Sequence, residues 1–189
     1  MRENIAIFMD YGGLNMINER VMKVLIDQVN KEFYSAYLYL SMSAYFSDIG
    51  LLGFANWMII QFQEEQAHAM LIYDFLIDRN VKVTLFAIDE PPNTWNGPLH
   101  VMEEVLKHEE YVTGLINNII GVAEEAKDRA TMSYFNWFID EQVEEEANAQ
   151  DIISKLKLIG DDKSALYLLD KDLSTRVFVQ PQIKPANNQ

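Results

Sequence analysis

The chain has 189 residues, of which 49% are hydrophobic and 23% charged, a composition that fits a folded domain and excludes wholesale disorder. Its formal net charge of −14 argues against nucleic acid or an anionic membrane as a partner, because both are themselves negative. The absence of cysteine excludes disulfides, thiolate metal sites and cysteine nucleophiles.

The apolar runs of the sequence are short. None approaches the roughly 18 residues that are needed to cross a bilayer. The continuous run nearest the N-terminus, residues 5–9, is also shorter than the core of a signal peptide. We therefore predict a cytoplasmic protein with no membrane partner.

Four long helices are predicted from apolar residues that recur at seven-residue steps. Residues 1–15 contain a double glycine and no sustained period, so they are predicted to be an extension that precedes the helices. Asn18 is a suitable N-cap for the first helix, and Gly160 is a suitable stop for the fourth. The predicted helices cover approximately residues 19–45, 54–79, 99–125 and 129–159.

The connections between these helices predict their arrangement. Short turns join the first helix to the second and the third to the fourth, so the members of each pair are antiparallel. The segment 81–98 contains three prolines and is not helical; about 17 extended residues reach roughly 55 Å, enough to return along a bundle. An apolar segment at 165–173 predicts a short fifth helix, and a flexible tail is predicted from 175 to 189. The fold class is therefore all-α, a four-helix bundle with one long crossover between helices 2 and 3.

Glu65 and His68 interrupt the apolar stripe of the second helix. They stand three residues apart and share a helical face with Met58 and Ile72. Burying an unpaired charge costs several kcal/mol or more, so the pair must be ion-paired, protonated or bound to a cation. An oxygen and a nitrogen ligand on one face suit iron, manganese or zinc. Taken alone, however, a Glu and a His at this spacing on a helix more often form a salt bridge than a metal site.

The other three helices carry similar interruptions, each about midway along its length. All of them can therefore meet at one level of the bundle. Carboxylates brought together in this way repel one another and raise each other's pKa unless a counter-charge is present. Two divalent cations would resolve that conflict, so the pattern predicts a dinuclear metal site. The interrupting residues are Glu32 in the first helix, Glu109 in the third, and Gln142 and Glu145 in the fourth.

The stretches around these residues resemble the ferritins, specifically the non-haem bacterial and archaeal type, over about residues 16–174. The resemblance implies a ferritin-like four-helix bundle with a short fifth C-terminal helix, and a diiron ferroxidase centre. In that centre Glu32, Glu65 and His68 hold one iron, and Glu65 bridges to a second. Glu109 and Glu145 hold the second iron, with Gln142 beside it, and Tyr39 and Trp137 match the tyrosine and tryptophan that the family has near the centre. The stretches that carry the resemblance are 30–36 (NKEFYSA), 63–68 (QEEQAH), 107–110 (KHEE) and 140–146 (DEQVEEE).

The resemblance also implies a third iron site on the inner side of the centre. Its ligands map to Glu64, Glu141 and Glu144, with Glu145 shared. Because Glu64 and Glu144 each sit one residue from a core ligand, they are offset by about 100° around their helices. The alternative is that these acids form an ordinary solvated face.

Several departures separate the chain from related families. Gln66 stands where bacterioferritins have a haem-ligating methionine, so no haem is expected. The fourth helix carries Gln142-x-x-Glu145 instead of the second Glu-x-x-His of the bacterioferritins and rubrerythrins. Rubrerythrins also require cysteines, which this chain lacks. The DNA-protecting mini-ferritins lack the fifth helix that is predicted here at 165–173.

The resemblance implies iron storage. Fe²⁺ is oxidised by O₂ or peroxide at the diiron centre, and ferric oxyhydroxide mineral is stored inside a homo-oligomeric shell of 24 subunits with octahedral symmetry. Two alternatives remain at this point. A catalytically silent shell subunit is disfavoured by the intact ligand set, and a dimetal oxidase acting on an organic substrate is disfavoured because no feature marks a substrate pocket.

Overall fold

The computed structural model describes residues 17–183, so the predicted extension at 1–15 lies outside the described residues. The described part of the chain is all helical apart from its connections, and the predicted fold class is confirmed. None of its helices is both long enough and apolar enough to cross a membrane. The helices are α1 (Glu19–Asp48), α2 (Leu52–Asp78), α3 (Pro98–Glu125), α4 (Arg129–Ile159) and α5 (Lys163–Leu173).

The helix ends follow from local chemistry. The Asn18 side chain accepts a hydrogen bond from the Arg20 amide (2.9 Å), which caps α1 as predicted. Gly160 ends α4 with a φ of 57°, in the left-handed region that favours glycine. The fifth helix begins two residues before the predicted start, because the Asp162 side chain accepts hydrogen bonds from the Ser164 and Ala165 amides (2.8 and 3.2 Å).

The bundle consists of two helical hairpins. α1 packs along α2, and α3 packs along α4, each pair being joined by a short connection. Residues 79–97 cross from the end of the first hairpin to the start of the second. α1 also packs against α3, which joins the hairpins into one bundle with the predicted long crossover.

The core is divided into two apolar clusters along the length of the bundle. One contains Phe46, Phe54 and Met102, and the other contains Leu25 and Phe135, with all five side chains buried. In each of the four long helices the two clusters are separated by several residues. Those gaps contain the polar residues that interrupt the stripes, so the fold has a buried polar band between two apolar ends.

α5 closes one end of the bundle by capping α2. No side chain at the N-terminus of α2 itself caps that helix. Asp170 of α5 supplies the cap instead, because its Oδ1 accepts hydrogen bonds from the Gly53 and Phe54 amides (2.8 and 3.0 Å). The approach requires glycine, since a Cβ at position 53 would lie 1.6 Å from the Asp170 carbonyl oxygen. The chain that follows α5 therefore starts beside α2.

Candidate metal centre

The polar band brings together side chains from all four long helices. Each of its members stands in the middle of a heptad row whose other members are apolar, except that Gln61 stands seven residues before His68, so helix packing turns the row inward. The exposed fractions are all small: Glu32 1%, Glu65 2%, His68 2%, Glu109 1%, Gln142 5% and Glu145 3%.

The first hairpin holds three ligand-type side chains in a close group. One ligand atom from each of Glu32, Glu65 and His68 lies within 4.8 Å of the other two. Glu32 Oε2, Glu65 Oε2 and His68 Nε2 are buried and have no hydrogen-bond partner within residues 17–183. Buried polar atoms normally have a partner, because leaving them unpaired costs about 1–3 kcal/mol each. Two carboxylate oxygens and an imidazole nitrogen are a donor set that suits iron.

The second hairpin presents Glu109 and Glu145, and neutral donors hold both. The Tyr39 hydroxyl donates to Glu109 Oε1, and Gln142 Nε2 donates to Glu109 Oε2 (3.1 Å). Gln61 Nε2 donates to Glu145 Oε2 (2.7 Å). These hydrogen bonds fix the direction of both carboxyl groups.

Burial and mutual repulsion favour the protonated form of three carboxyl groups, those of Glu32, Glu65 and Glu109, when no cation is present. Burial, reinforced by the charge of Glu65, raises the pKa of Glu32 to about 8. Burial, reinforced by Glu145, raises the pKa of Glu109 to about 8. Burial also raises the pKa of Glu65 well above its ordinary value, and the charges of Glu109 and Glu145 raise it further. Glu65 is therefore under the electrostatic influence of carboxylates from both hairpins.

Tyr39 and Trp137 lie beside these groups. Burial raises the pKa of Tyr39 well above its ordinary value, and the adjacent Glu109 charge adds to the shift, so the phenol stays protonated and can donate. The ring centroids of Trp137 and His68 are 5.5 Å apart in an edge-on arrangement. Both aromatic residues thus contact members of the polar band.

The three outer acids differ in their environments. Glu64 is partly buried and forms an ion pair with Arg176 (Oε2 to Nη2, 2.7 Å). Burial raises its pKa to about 7, although the Arg176 charge opposes the shift. Glu141 Oε1 lies 4.0 Å from His68 Nε2, and burial raises its pKa as well. Glu144 is exposed to solvent. The structure thus brings Glu64 and Glu141 to the edge of the band and leaves Glu144 on the surface.

Three further residues contact the site and were not predicted from the sequence. Gln28 Nε2 donates to Glu32 Oε1 (2.8 Å), and Gln61 holds Glu145 as described. A signal for both existed, because each glutamine stands four residues before a glutamate of the band and so shares its helical face. Arg176 gave no such signal, since it lies in the segment predicted to be a flexible tail.

Comparisons with known proteins agree with this architecture. The family described as a ferritin-like domain matches residues 22–159. An open pore ferritin of the hyperthermophilic archaeon Archaeoglobus fulgidus superposes with a TM-score of 0.84 at 51% identity, over 85% of this chain and 99% of that one. The bacterial non-heme ferritin of Staphylococcus saprophyticus is 41% identical over 163 residues, which are 86% of this chain and 98% of the relative. That of Bacteroides fragilis is 40% identical over 161 residues, which are 85% of this chain and 100% of the relative.

The chain belongs to the ferritin family. The resemblance inferred from its sequence motifs, to the non-haem ferritins of bacteria and archaea, is confirmed by these relatives.

Proposed function

We propose that the iron storage and ferroxidase activity of this ferritin depend on a diiron centre in the polar band. Glu32, Glu65 and His68 bind one Fe²⁺, and Glu65 bridges to the second. Glu109 and Glu145 bind the second Fe²⁺, with Gln142 beside it. Each Fe²⁺ is a substrate that gives up one electron to O₂ or peroxide.

The observation that carries this proposal is the set of three ligand atoms, on Glu32, Glu65 and His68, that have no partner in the described part of the chain. A salt bridge alone would leave two of the buried carboxylate oxygens without partners. Charge balance supports two ions. The four carboxylates of the band, once ionised, carry four negative charges, and two Fe²⁺ carry four positive charges. Binding therefore releases the retained protons and relieves the repulsion that raises the pKa of Glu32, Glu65 and Glu109.

The surrounding residues orient the ligands. Gln28 holds one oxygen of Glu32 and leaves the other for metal. Tyr39 and Gln142 hold the Glu109 carboxylate, and Gln61 holds that of Glu145. Such hydrogen bonds reduce the reorganisation that metal binding requires. Tyr39 is also a neutral hydroxyl close to the site of oxidation.

Oxidation of the two irons yields the ferric product. Two Fe²⁺ give up two electrons, which reduce O₂ to hydrogen peroxide or peroxide to water. The total metal charge rises from four to six, and oxide or hydroxide balances the two charges that the four carboxylates do not. Glu64, Glu141 and Glu144, together with Glu145, form the third iron site in this proposal. They draw ferric iron from the centre toward the interior of the shell, where mineral grows.

The same proposal includes a 24-subunit shell, a cytoplasmic location and no haem. Tyr167 and Leu168 of α5 are 67% and 64% exposed in the single chain, which supports burial against other subunits. Gln66 is exposed and offers no thioether to a haem iron. A silent subunit stays less favoured because the full ligand set is present, and an organic-substrate oxidase stays less favoured because no feature of the sequence marks a substrate pocket.

The test is Fe²⁺ oxidation by the assembled protein, followed as ferric absorbance, in Glu65→Ala and in the neighbouring control Gln66→Ala. Glu65→Ala should abolish the fast phase, since both irons lose a ligand, and should leave the shell intact by native mass. Gln66→Ala, an exposed position on the same helix, should oxidise Fe²⁺ like the unmodified protein. Fast oxidation by Glu65→Ala would refute the assignment of the centre, and a native mass other than that of 24 subunits would refute the shell size.

A further inference from the structure

Arg176 brings a positive charge to the edge of the metal centre from outside the four-helix bundle. Its Nη2 lies 2.7 Å from Glu64 Oε2, and its Nη1 donates to Gln61 Oε1. Its guanidinium carbon lies 4.8 Å from the centroid of the Trp57 ring. The three partners stand on one stripe of α2, so the guanidinium is held by an ion pair, a hydrogen bond and a cation–π contact at once.

The backbone of Arg176 is held in place as well. Asp170 fixes α5 to the N-terminus of α2 through the Gly53 and Phe54 amides. Arg176 stands six residues after Asp170, and its backbone carbonyl oxygen accepts a hydrogen bond from Asn56 Nδ2 (3.0 Å). The side chain of Arg176 is only 23% exposed. Its position therefore follows from the docking of α5 and is not that of a loose surface arginine.

The hydrogen bonds around Gln61 link Arg176 to the diiron ligands. A guanidinium has only donors, so the side-chain oxygen of Gln61 must face Arg176. The amide nitrogen of Gln61 then faces Glu145 and donates to it (2.7 Å). Gln61 is fully buried, so it has no alternative partner in solvent. Arg176 thus contacts one outer acid directly and one core ligand through a single residue.

A cation bound by the outer acids would need the same carboxylate that Arg176 occupies. Glu64 is the outer acid in contact with Arg176, and Glu141 lies near His68. We propose that Arg176 is a tethered cation that competes with the third metal ion for Glu64. The inference rests on the proposed function, because it presupposes a diiron centre with a third ion beside it. A third divalent ion then binds only when the guanidinium leaves Glu64, and Arg176 limits how long iron stays between the centre and the interior.

The test is an anaerobic calorimetric titration of the assembled, metal-free protein with Co²⁺, which binds without being oxidised. The unmodified protein should bind two Co²⁺ per subunit tightly and a third weakly. Arg176→Gln removes the competing charge, so the dissociation constant of the third Co²⁺ should fall roughly tenfold, the effect of one charge-assisted hydrogen bond. Adding Glu64→Gln to Arg176→Gln should abolish this gain, because the freed carboxylate is lost.

Arg20→Gln is the matched control. Arg20 forms an ion pair of the same length, 2.7 Å, with Glu125, but both side chains are well exposed (67% and 64%). Its replacement should leave all three Co²⁺ affinities unchanged. Equal third-ion affinity in Arg176→Gln and the unmodified protein would overturn the inference while the two tight sites uphold the diiron centre. The inference would also be overturned if the double variant with Glu64→Gln kept the tighter third-ion binding of Arg176→Gln. If no variant bound any Co²⁺ tightly, the diiron centre and this inference would be overturned together.

Discussion

Glu32→Gln tests whether the buried carboxyl groups destabilise the metal-free bundle. In the unfolded chain Glu32 has an ordinary pKa near 4.5, whereas in the fold its pKa is about 8. Between these values the folded protein binds a proton that the unfolded chain releases. The contribution of Glu32 to the free energy of unfolding is therefore fully present below pH 4.5, falls as pH rises toward 8, and stays low above it. Glutamine cannot ionise, so the variant should lack this loss.

The size of the effect follows from the two pKa values. The interval from 4.5 to about 8 corresponds to about 5 kcal/mol, at roughly 1.4 kcal/mol per pH unit. Glutamine has nearly the shape of a protonated glutamate, and its side-chain oxygen can still accept the hydrogen bond that Gln28 donates (2.8 Å). Glu32→Gln should therefore raise the free energy of unfolding at pH 8.5 by up to about 5 kcal/mol, a large share of the ~5–15 kcal/mol typical of a domain. At pH 4.5 the two proteins should be nearly equal.

The measurement is guanidinium chloride unfolding of metal-free protein with chelator, at fixed protein concentration, followed by the fluorescence of the three tryptophans. Glu110→Gln, at an exposed position of α3, is the control and should show no comparable gain at high pH. With saturating divalent metal the unmodified protein should have the higher free energy of unfolding, because it then has the complete ligand set. If Glu32→Gln were destabilising by the same amount at both pH values, the electrostatic account of the centre would be wrong.

Three further predictions concern the docking of α5, the N-cap of α4 and the absence of haem. Gly53→Ala should displace α5, because the new Cβ would lie 1.6 Å from the Asp170 carbonyl oxygen, and limited proteolysis should then cut α5 faster; Gly121→Ala, with open space around it, should not have this effect. Asp128→Ala should lower the free energy of unfolding by about 1–2 kcal/mol, since it removes the N-cap of α4 and the partner of Arg79. Burial raises the pKa of Asp128, but the hydrogen bonds from Arg79 and Thr131 together lower it more, so this deficit in denaturant titrations should shrink as pH falls below the ordinary range of aspartate. Reconstitution with haem should give no bis-methionine absorption spectrum, because position 66 is glutamine.

Heptad spacing was sufficient to predict the helices and to identify the six side chains of the polar band. Heptad spacing identified Glu32 and Glu109 because a long helix packed on one face buries every residue of the heptad row on that face. It failed for Gln61, which stands seven residues before His68 but was not distinguished from ordinary core polar residues. Spacing alone likewise assigned Glu64 and Glu144 equivalent positions, whereas Glu64 is partly buried and Glu144 is exposed.

The contact between Arg176 and Glu64 could not be predicted from any local pattern. The two residues are 112 positions apart, and their contact depends on where α5 docks. That docking depends in turn on a glycine and an aspartate that have no periodic signature in the sequence. The mobility of the remaining tail stays a prediction, as does the role of residues 1–15.

The division of the ligands between two hairpins has a consequence for the order of folding. Glu32, Glu65 and His68 all belong to α1 and α2, which are neighbours along the chain and should pair early, because contacts close in sequence form fastest. We expect the slower step to be the docking of α3 and α4 after the crossover, which brings the carboxyl groups of Glu109 and Glu145 toward those of the first hairpin. A cation already held by the first hairpin turns that approach from repulsive to attractive. In stopped-flow refolding at pH 8, Zn²⁺ should therefore accelerate the late phase and leave the early gain of helical signal unchanged.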